Sequence, residues 1–185
     1  MSALLVSTGV VALAEIGDKT QLLALVLAAK YRKPVPIILA ILVATLLNHA
    51  LAGVVGTVIA AAISPGMLRW ILGASFIAMG LWTLVPDKYE EQVARPPRFG
   101  IFGATLIAFF LLEMGDKTQI ATIALAAKYH SLTAVVAGTT LGMMLANVPA
   151  VLLGEVAAKK LPMHLVHGIA AAIFIVMGAM ILFSG

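Results

Sequence analysis

Four long stretches without Asp, Glu, Lys or Arg constrain the fold of this chain more than any other feature. They cover residues 34–68, 70–86, 131–154 and 161–185. A helix needs about 20 residues to cross a hydrocarbon core of about 30 Å, so these stretches are long enough to span a bilayer. They are too long and too uniformly apolar for the alternating strands of a membrane β-barrel. The sequence therefore predicts an all-α integral membrane protein.

The composition agrees with this class and excludes several kinds of site. Hydrophobic residues make up 62% and charged residues 11% of the chain, against about 45–50% and 25% in a soluble domain. Because there is no cysteine, disulfides, zinc–thiolate sites and iron–sulfur clusters are excluded. The net charge of +4 comes mostly from basic residues at predicted helix ends, which is a membrane-topology pattern. We expect the lipid bilayer, and not nucleic acid, as a partner.

Turn and charge signals divide the chain into six predicted spans. One polar segment, residues 87–98, holds six charged residues and separates two halves, residues 1–86 and 99–185. No Lys or Arg precedes the N-terminal apolar run, so we expect a first span there and not a cleaved signal peptide. The six spans are residues 4–29, 35–62, 67–85, 99–127, 132–156 and 163–183.

The two halves repeat each other. Residues 15–21, Glu-Ile-Gly-Asp-Lys-Thr-Gln, correspond to residues 113–119, Glu-Met-Gly-Asp-Lys-Thr-Gln, 98 positions later. Residues 27–31 match residues 125–129 at the same offset. Because each half has an odd number of spans, the second half must enter the bilayer from the opposite side. We therefore predict two inverted three-helix repeats, an arrangement in which many secondary transporters bind their substrate near the membrane midplane.

Loop charges predict the orientation. The loops on one side of the membrane carry eight Lys or Arg residues, and those on the other side carry two. The positive-inside rule places the more basic side in the cytoplasm and both termini outside it. The eight are Lys30, Arg32, Lys33, Lys88, Arg95, Arg98, Lys159 and Lys160, and the two are Arg69 and Lys128.

The duplicated motif places charged side chains near the middle of the membrane, where a charge is energetically unfavourable. The helix rise puts Glu15 about 16 Å and Glu113 about 21 Å into their spans, near the middle of a core of about 30 Å. Charged residues at that depth usually serve a function. Each Glu shares a helix face with the Asp three positions later, so Asp18 and Asp116 complete a set of four carboxylates. The alternative is that the carboxylates pair with lysines and only fix helix packing.

Neutral oxygens accompany these carboxylates, and the set suits Mg²⁺, Ca²⁺ or Mn²⁺. The two asparagines lie in the second and fifth spans and would act as ligands or as hydrogen bonds between helices. His49 would shift selection toward Mn²⁺ or make a structural hydrogen bond, and the equivalent place in the second half is apolar. The neutral candidates are Thr20, Thr118, Gln21, Gln119, Asn48 and Asn147.

The glycines and lysines of the motif each have two interpretations. Gly17 and Gly115 permit either a helix break with carbonyls turned toward an ion or close helix packing. Lys19 and Lys117 either pair with the glutamate four positions earlier or act as an internal cation while the metal is absent. Four crowded carboxylates in a low dielectric cannot all stay ionised, so an empty site should take up protons that an arriving metal displaces. This predicts exchange of a divalent cation for H⁺, without a permanently bound cofactor.

Two E-x-G-D-[KR]-[ST] motifs in a six-span chain resemble a known family of cation/proton exchangers. It includes the eukaryotic Golgi calcium/manganese exchangers and the MneA-type bacterial manganese exporters. The resemblance implies that Mn²⁺, or else Ca²⁺, leaves the cytosol against inward proton flow, and it suggests a bacterial inner membrane with Mn²⁺ as the substrate. The cation site that it implies consists of Glu15, Asp18, Thr20, Glu113, Asp116 and Thr118.

Three alternatives stay open from the sequence. An exporter of amino acids or other organic cations would need room for a bulkier substrate. An intramembrane aspartyl protease would use Asp18 and Asp116 as a dyad, although peptide cleavage requires neither paired glutamates nor an inverted repeat. A membrane scaffold would leave the deep ionisable groups unexplained. We therefore expect a transporter and not an enzyme, and the sequence is compatible with a homodimer.

Overall fold

The computed structural model describes residues 2–85, 99–153 and 163–183. Within these ranges the chain is all-α, as predicted. The predicted linker, residues 87–98, and the end of the fifth span, residues 154–156, lie outside the described residues. The described helices are α1 (Ala3–Glu15), α2 (Lys19–Tyr31), α3 (Pro34–Ala62), α4 (Pro65–Thr83), α5 (Gly100–Glu113), α6 (Lys117–Tyr129), α7 (Leu132–Leu153) and α8 (Met163–Phe183).

Four of these helices, α3, α4, α7 and α8, are long and apolar enough to cross a membrane. Large apolar side chains on them face outward, for example Leu47, Leu145 and Val176, each at least half exposed. A surface with this much exposed apolar area suits lipid and not water. The protein is therefore an integral, multi-pass membrane protein.

The first and fourth predicted spans are each split into two helices at the duplicated motif. Three residues separate α1 from α2, and three separate α5 from α6. Gly17 and Gly115 adopt φ angles of +83° and +78°, a conformation that glycine reaches more easily than other residues. A Cβ added to Gly115 would meet nothing within 4 Å, so close packing does not explain this glycine. Of the two interpretations from the sequence, the structure shows the helix break.

Local signals fix the ends of the helices next to these breaks. α2 and α6 end at Tyr31 and Tyr129, and the capping residues that follow them, Arg32 and His130, adopt the left-handed conformation. α3 and α4 each begin with proline, at Pro34 and Pro65, where the missing N–H costs no helical hydrogen bond. The broken spans are thus connected to the long helices by short turns.

The two halves pack reciprocally. α1 lies against α7, and its counterpart α5 lies against α3. α2 contacts α7, and its counterpart α6 contacts α3, while α3 and α7 also contact each other. α4 and α8 form a further pair. Each broken span is therefore supported by the long helix of the opposite half.

Small residues permit the close approach of α1 to α7. Gly138 and Gly142 have the G-x-x-x-G spacing that lets membrane helices touch through their backbones. A Cβ added to Gly142 would overlap the carbonyl oxygen of Thr8 and crowd the backbone nitrogen of Ala12. Since α1 ends at Glu15, this contact helps to set the position of the first motif.

We expect Gly142→Ala to lower the free energy of unfolding by about 1–3 kcal/mol, because overpacking forces the two helices apart. Gly9→Ala is the matched control, since a Cβ there would meet nothing within 4 Å and alanine favours a helix over glycine. Thermal unfolding in detergent measures both. Equal melting temperatures for the two variants would contradict the close contact.

Candidate metal and proton site

The two helix breaks share one hydrogen-bond pattern. The N–H of Gly17 donates to Gln21 Oε1 at 2.8 Å, and the N–H of Gly115 donates to Gln119 Oε1 at 2.7 Å. In each break the N–H of the aspartate bonds back to the carbonyl of the glutamate, at 3.0 Å in the first and 3.1 Å in the second. The glutamines, which the sequence offers as neutral ligands, therefore use their side-chain oxygens to hold the breaks in shape.

The four motif carboxylates are buried, with exposed fractions of 0–1%. The Thr20 hydroxyl donates to Glu15 Oε1. In the second motif the Thr118 hydroxyl donates to Glu113 Oε2 at 3.0 Å. Each threonine thus connects the two helices that flank its break and orients the glutamate. The buried carboxylates are Glu15, Asp18, Glu113 and Asp116.

The motif lysines reach across to the opposite motif. Lys19 Nζ lies 2.7 Å from Asp116 Oδ1, and Lys117 Nζ lies 3.2 Å from Asp18 Oδ1. The sequence left two roles open for these lysines, which were pairing with the glutamate four positions earlier and acting as an internal cation while the metal is absent. The spacing rule for the first role presumes a continuous helix, and here the helix is interrupted between the two positions. The ion pairs therefore join the two motifs to each other.

The asparagines also cross between the halves. The Asn147 amide on α7 donates to Glu15 Oε1 at 3.3 Å. The Asn48 side-chain oxygen on α3 accepts a hydrogen bond from the Gln119 amide. The Gln21 amide donates to the carbonyl of Ala146 at 3.0 Å. Each motif therefore has partners on the long helix of the other half, and both asparagines act as hydrogen-bonding groups at the site.

Two buried side chains bring nitrogen and sulfur close to this oxygen-rich cluster. His49 is fully buried on α3, and its Nε2 lies 3.9 Å from Glu113 Oε2. Met143 is fully buried on α7, and its sulfur accepts from the Asn147 amide at 3.0 Å. Met143 was not predicted from the sequence, although its position four residues before Asn147 places it on the same helix face.

The two breaks differ in their surroundings. His167 on α8 lies beside the first break, with Nε2 3.2 Å from the carbonyl oxygen of Ile16. The corresponding Met114 of the second break is 57% exposed. Lys19 is 24% exposed, whereas Lys117 is 3% exposed. The sequence gives no signal for the contact of His167, because the contact joins the two ends of the chain.

Within the described ranges, no three Asp, Glu or His side chains are arranged to hold a common metal ion. The crossed pairs instead place an ammonium group against each aspartate. Threonine and asparagine donors face the glutamates. The arrangement shown is a buried cluster of carboxylates that is partly neutralised by the chain's own lysines.

Comparison with known proteins identifies the family. The family model of the divalent cation/proton antiporter GDT1 matches residues 3–91 and 101–185. The chain belongs to this antiporter family. The resemblance drawn from the doubled motif is thereby confirmed. The family is one of transporters and not of enzymes, so the match favours the antiporter over the protease, the organic-cation exporter and the scaffold.

Individual relatives agree with this assignment. The chain is 54% identical over 178 residues to a Vibrio cholerae serotype O1 protein named "Putative manganese exporter", covering 96% of this chain and 88% of that protein. It is 28% identical over 201 residues to GDT1-like protein 3 of Oryza sativa subsp. indica, covering 94% of this chain and 71% of the relative. A GDT1-like protein of Schizosaccharomyces pombe is 34% identical over 76 residues, 41% of this chain and 29% of its own length. No solved structure gives a significant match.

A double-mutant cycle tests the crossed ion pair. Lys117→Met and Asp18→Asn each disturb the same buried contact, so we expect the double variant to lose less stability than the sum of the single variants. The expected coupling is about 1–3 kcal/mol. Thermal unfolding of the purified protein in metal-free detergent provides the measurement.

The matched control is the cycle of Lys117→Met with Asp116→Asn. These residues are adjacent in sequence, but Asp116 contacts Lys19. We expect a smaller coupling between them. A larger coupling within the motif than across the motifs would contradict the crossed arrangement.

Proposed function

We propose that the protein exchanges a divalent cation, Mn²⁺ in preference to Ca²⁺, for protons and thereby exports the metal from the cytosol. The family supports exchange of a divalent cation for protons, and the name of the Vibrio cholerae relative supports manganese as the substrate and export as the direction. One observation on this chain carries the proposal. Four buried carboxylates come from two helix breaks, and crossed lysine–aspartate pairs join those breaks.

The proposed topology is six spans in two inverted repeats, residues 1–86 and 99–185, joined by a cytoplasmic linker at 87–98. Each pair of helices around a break, α1 with α2 and α5 with α6, counts as one interrupted span. The reciprocal packing of the halves supports the repeat, and so do the matching hydrogen bonds of Gly17 and Gly115. The basic loops support a bacterial inner membrane protein with both termini outside the cytoplasm.

The proposed ligands are oxygen atoms carried by the two breaks, which an arriving metal ion would draw together, since no three Asp, Glu or His side chains of the described ranges hold a common position. Carboxylates and hydroxyls suit Mn²⁺ and Ca²⁺. α1 and α5 end at the breaks, where the negative ends of their helix dipoles favour a cation, and the positive ends of α2 and α6 meet the breaks beside the carboxylates of Asp18 and Asp116. All of these groups belong to one chain, so the proposed site needs no second copy. The proposed ligands are Glu15, Asp18, Thr20, Glu113, Asp116 and Thr118.

The lysines act as tethered counter-ions in this proposal. An arriving metal ion displaces the ammonium groups of Lys19 and Lys117 from the aspartates, and the ammonium groups return when the metal leaves. If the metal ion left the buried carboxylates without such cations, their negative charge would be uncompensated in a low dielectric, which is strongly unfavourable. The crossed pairs therefore stabilise the carrier between two rounds of metal transport.

Charge balance favours an electroneutral exchange. Four carboxylates and two ammonium groups leave a net charge of −2, which one divalent cation or two protons would neutralise. A buried cluster is most stable when its net charge is close to zero. We therefore propose that one metal ion is exchanged for two protons.

Transport in proteoliposomes tests the proposed site. A pH-sensitive dye inside the vesicles should report proton movement when Mn²⁺ or Ca²⁺ is added outside. Glu15→Gln and Asp116→Asn should each reduce this signal by about 100-fold or more, because each removes a charged ligand. Glu90→Gln, in the predicted linker, is the matched control and should keep the wild-type rate.

Two results would count against the proposal. Full activity of both Glu15→Gln and Asp116→Asn would contradict the proposed ligands. Metal uptake without any proton movement would contradict the exchange of metal for protons, but it would not contradict the proposed ligands.

The electroneutral ratio has its own test. If one Mn²⁺ is exchanged for two protons, no net charge crosses the membrane, and the rate should not depend on the membrane potential. Valinomycin and K⁺ gradients set the potential to zero or to a negative value in the same vesicles. A rate that changes with potential would contradict the ratio but not the exchange itself.

A further inference from the structure

We propose that His49 is a ligand of the transported metal and that its nitrogen makes the site prefer Mn²⁺ to Ca²⁺. This inference rests on the proposed function and deepens it, because it assigns the residue that determines specificity. The six oxygen donors proposed above accept either ion, so they do not account for a preference.

The side chain of His49 lies in the interior of the protein without the partners that a structural histidine needs. It is 0% exposed near the middle of α3. Among the described residues, neither of its ring nitrogens has a hydrogen-bond partner. An unsatisfied buried polar group costs about 1–3 kcal/mol, and in native proteins it usually indicates a function or an absent ligand. The structural hydrogen bond that the sequence left open is not observed in this part of the chain.

The position of the ring points to a metal ion shared with Glu113. Nε2 lies 3.9 Å from Glu113 Oε2, which is too long for a hydrogen bond. Two ligand atoms at about 2.1 Å from one octahedral ion lie about 3.0 Å apart when adjacent and about 4.2 Å apart when opposite. The observed distance lies between these values, so a shift of the ring by about 1 Å or less would bring both atoms onto one ion. Glu113 Oε2 accepts a hydrogen bond from Thr118, and Oε1 has no hydrogen-bond partner among the described residues, so the carboxylate retains lone pairs for the ion.

Ligand chemistry connects this position to selectivity. Ca²⁺ takes oxygen ligands. Mn²⁺ also prefers oxygen, but it is the first member of the transition-metal series that binds nitrogen ligands, to which Ca²⁺ does not belong. Loss of the nitrogen should therefore weaken the binding of Mn²⁺ more than that of Ca²⁺.

The second half of the chain lacks an equivalent histidine. His49 follows Asn48 directly, and the residue that follows Asn147 is Val148. The helix breaks, carboxylates, lysines and asparagines recur in both halves, so the repeat alone does not require a histidine here. The ring nitrogen of His49 is therefore a candidate for the group that determines selectivity, because the oxygen ligands recur in both halves and the histidine does not.

Spectroscopy of bound Mn²⁺ provides a test that does not depend on transport. Electron spin echo envelope modulation detects a nitrogen nucleus bound directly to Mn²⁺, and ¹⁵N-histidine labelling identifies its source. The chain has four histidines. We expect coupling to one histidine in the wild-type protein, loss of that coupling in His49→Gln, and no change in the exposed control His164→Gln.

Transport measurements separate a ligand from a residue that only supports the fold. We expect His49→Gln to lower the preference for Mn²⁺ over Ca²⁺ by about tenfold, with Ca²⁺-driven proton movement retained. Val148→Ala, at the corresponding place in α7, should keep the wild-type preference. A structural role for His49 would lower transport of both ions equally.

The possible results distinguish this inference from the proposed function. Bound Mn²⁺ without histidine coupling in the wild-type protein would overturn the role of His49 and leave the exchanger intact. Absence of both Mn²⁺ binding and metal-driven proton movement would overturn the proposed function itself. If His49→Gln fails to fold, a labelled wild-type spectrum without histidine coupling still overturns the role of His49. A coupling that persists in His130→Gln, His164→Gln and His167→Gln assigns it to His49 by elimination.

Discussion

Charge buried within a membrane protein is the constraint on which the rest of this structure depends. Each motif aspartate has an ammonium group from the opposite motif beside it. The Glu15 carboxylate receives a hydrogen bond from Asn147, in the other half of the chain. A buried charge is tolerated only when paired and hydrogen-bonded, so neither half can satisfy its own site alone. The reciprocal helix packing and the crossed polar contacts are therefore two consequences of the same requirement.

The fold class and four of the helices were predictable because they depend on composition and on local signals. The second span was expected at residues 35–62, and α3 covers Pro34–Ala62. The sixth was expected at 163–183, which are the bounds of α8. Hydrocarbon thickness and chain rise set the minimum length of such segments, and prolines and charged residues mark their ends. The breaks at Gly17 and Gly115 could not be decided, because glycine permits both a break and a close contact.

The repeat predicted which residues of the two motifs correspond, but not how they are connected. The carboxylates of Glu15 and Glu113 are both buried. The partner of Lys19 was not predictable, because spacing rules hold only along an unbroken helix. The contact between His167 and Ile16 depends on where α8 packs, which no local pattern encodes. The sequence therefore indicated which residues belong to the motifs, but the contacts between them depend on tertiary packing, which local patterns do not encode.

The unequal surroundings of the two breaks have a consequence for any exchanger of the proposed kind. If both breaks were equally accessible, ions and protons could pass through the site without being exchanged, and the gradient would dissipate. His167 contacts the first break, whereas Met114 in the second is exposed. An exchanger of the proposed kind therefore needs two halves that correspond in sequence and differ in their surroundings.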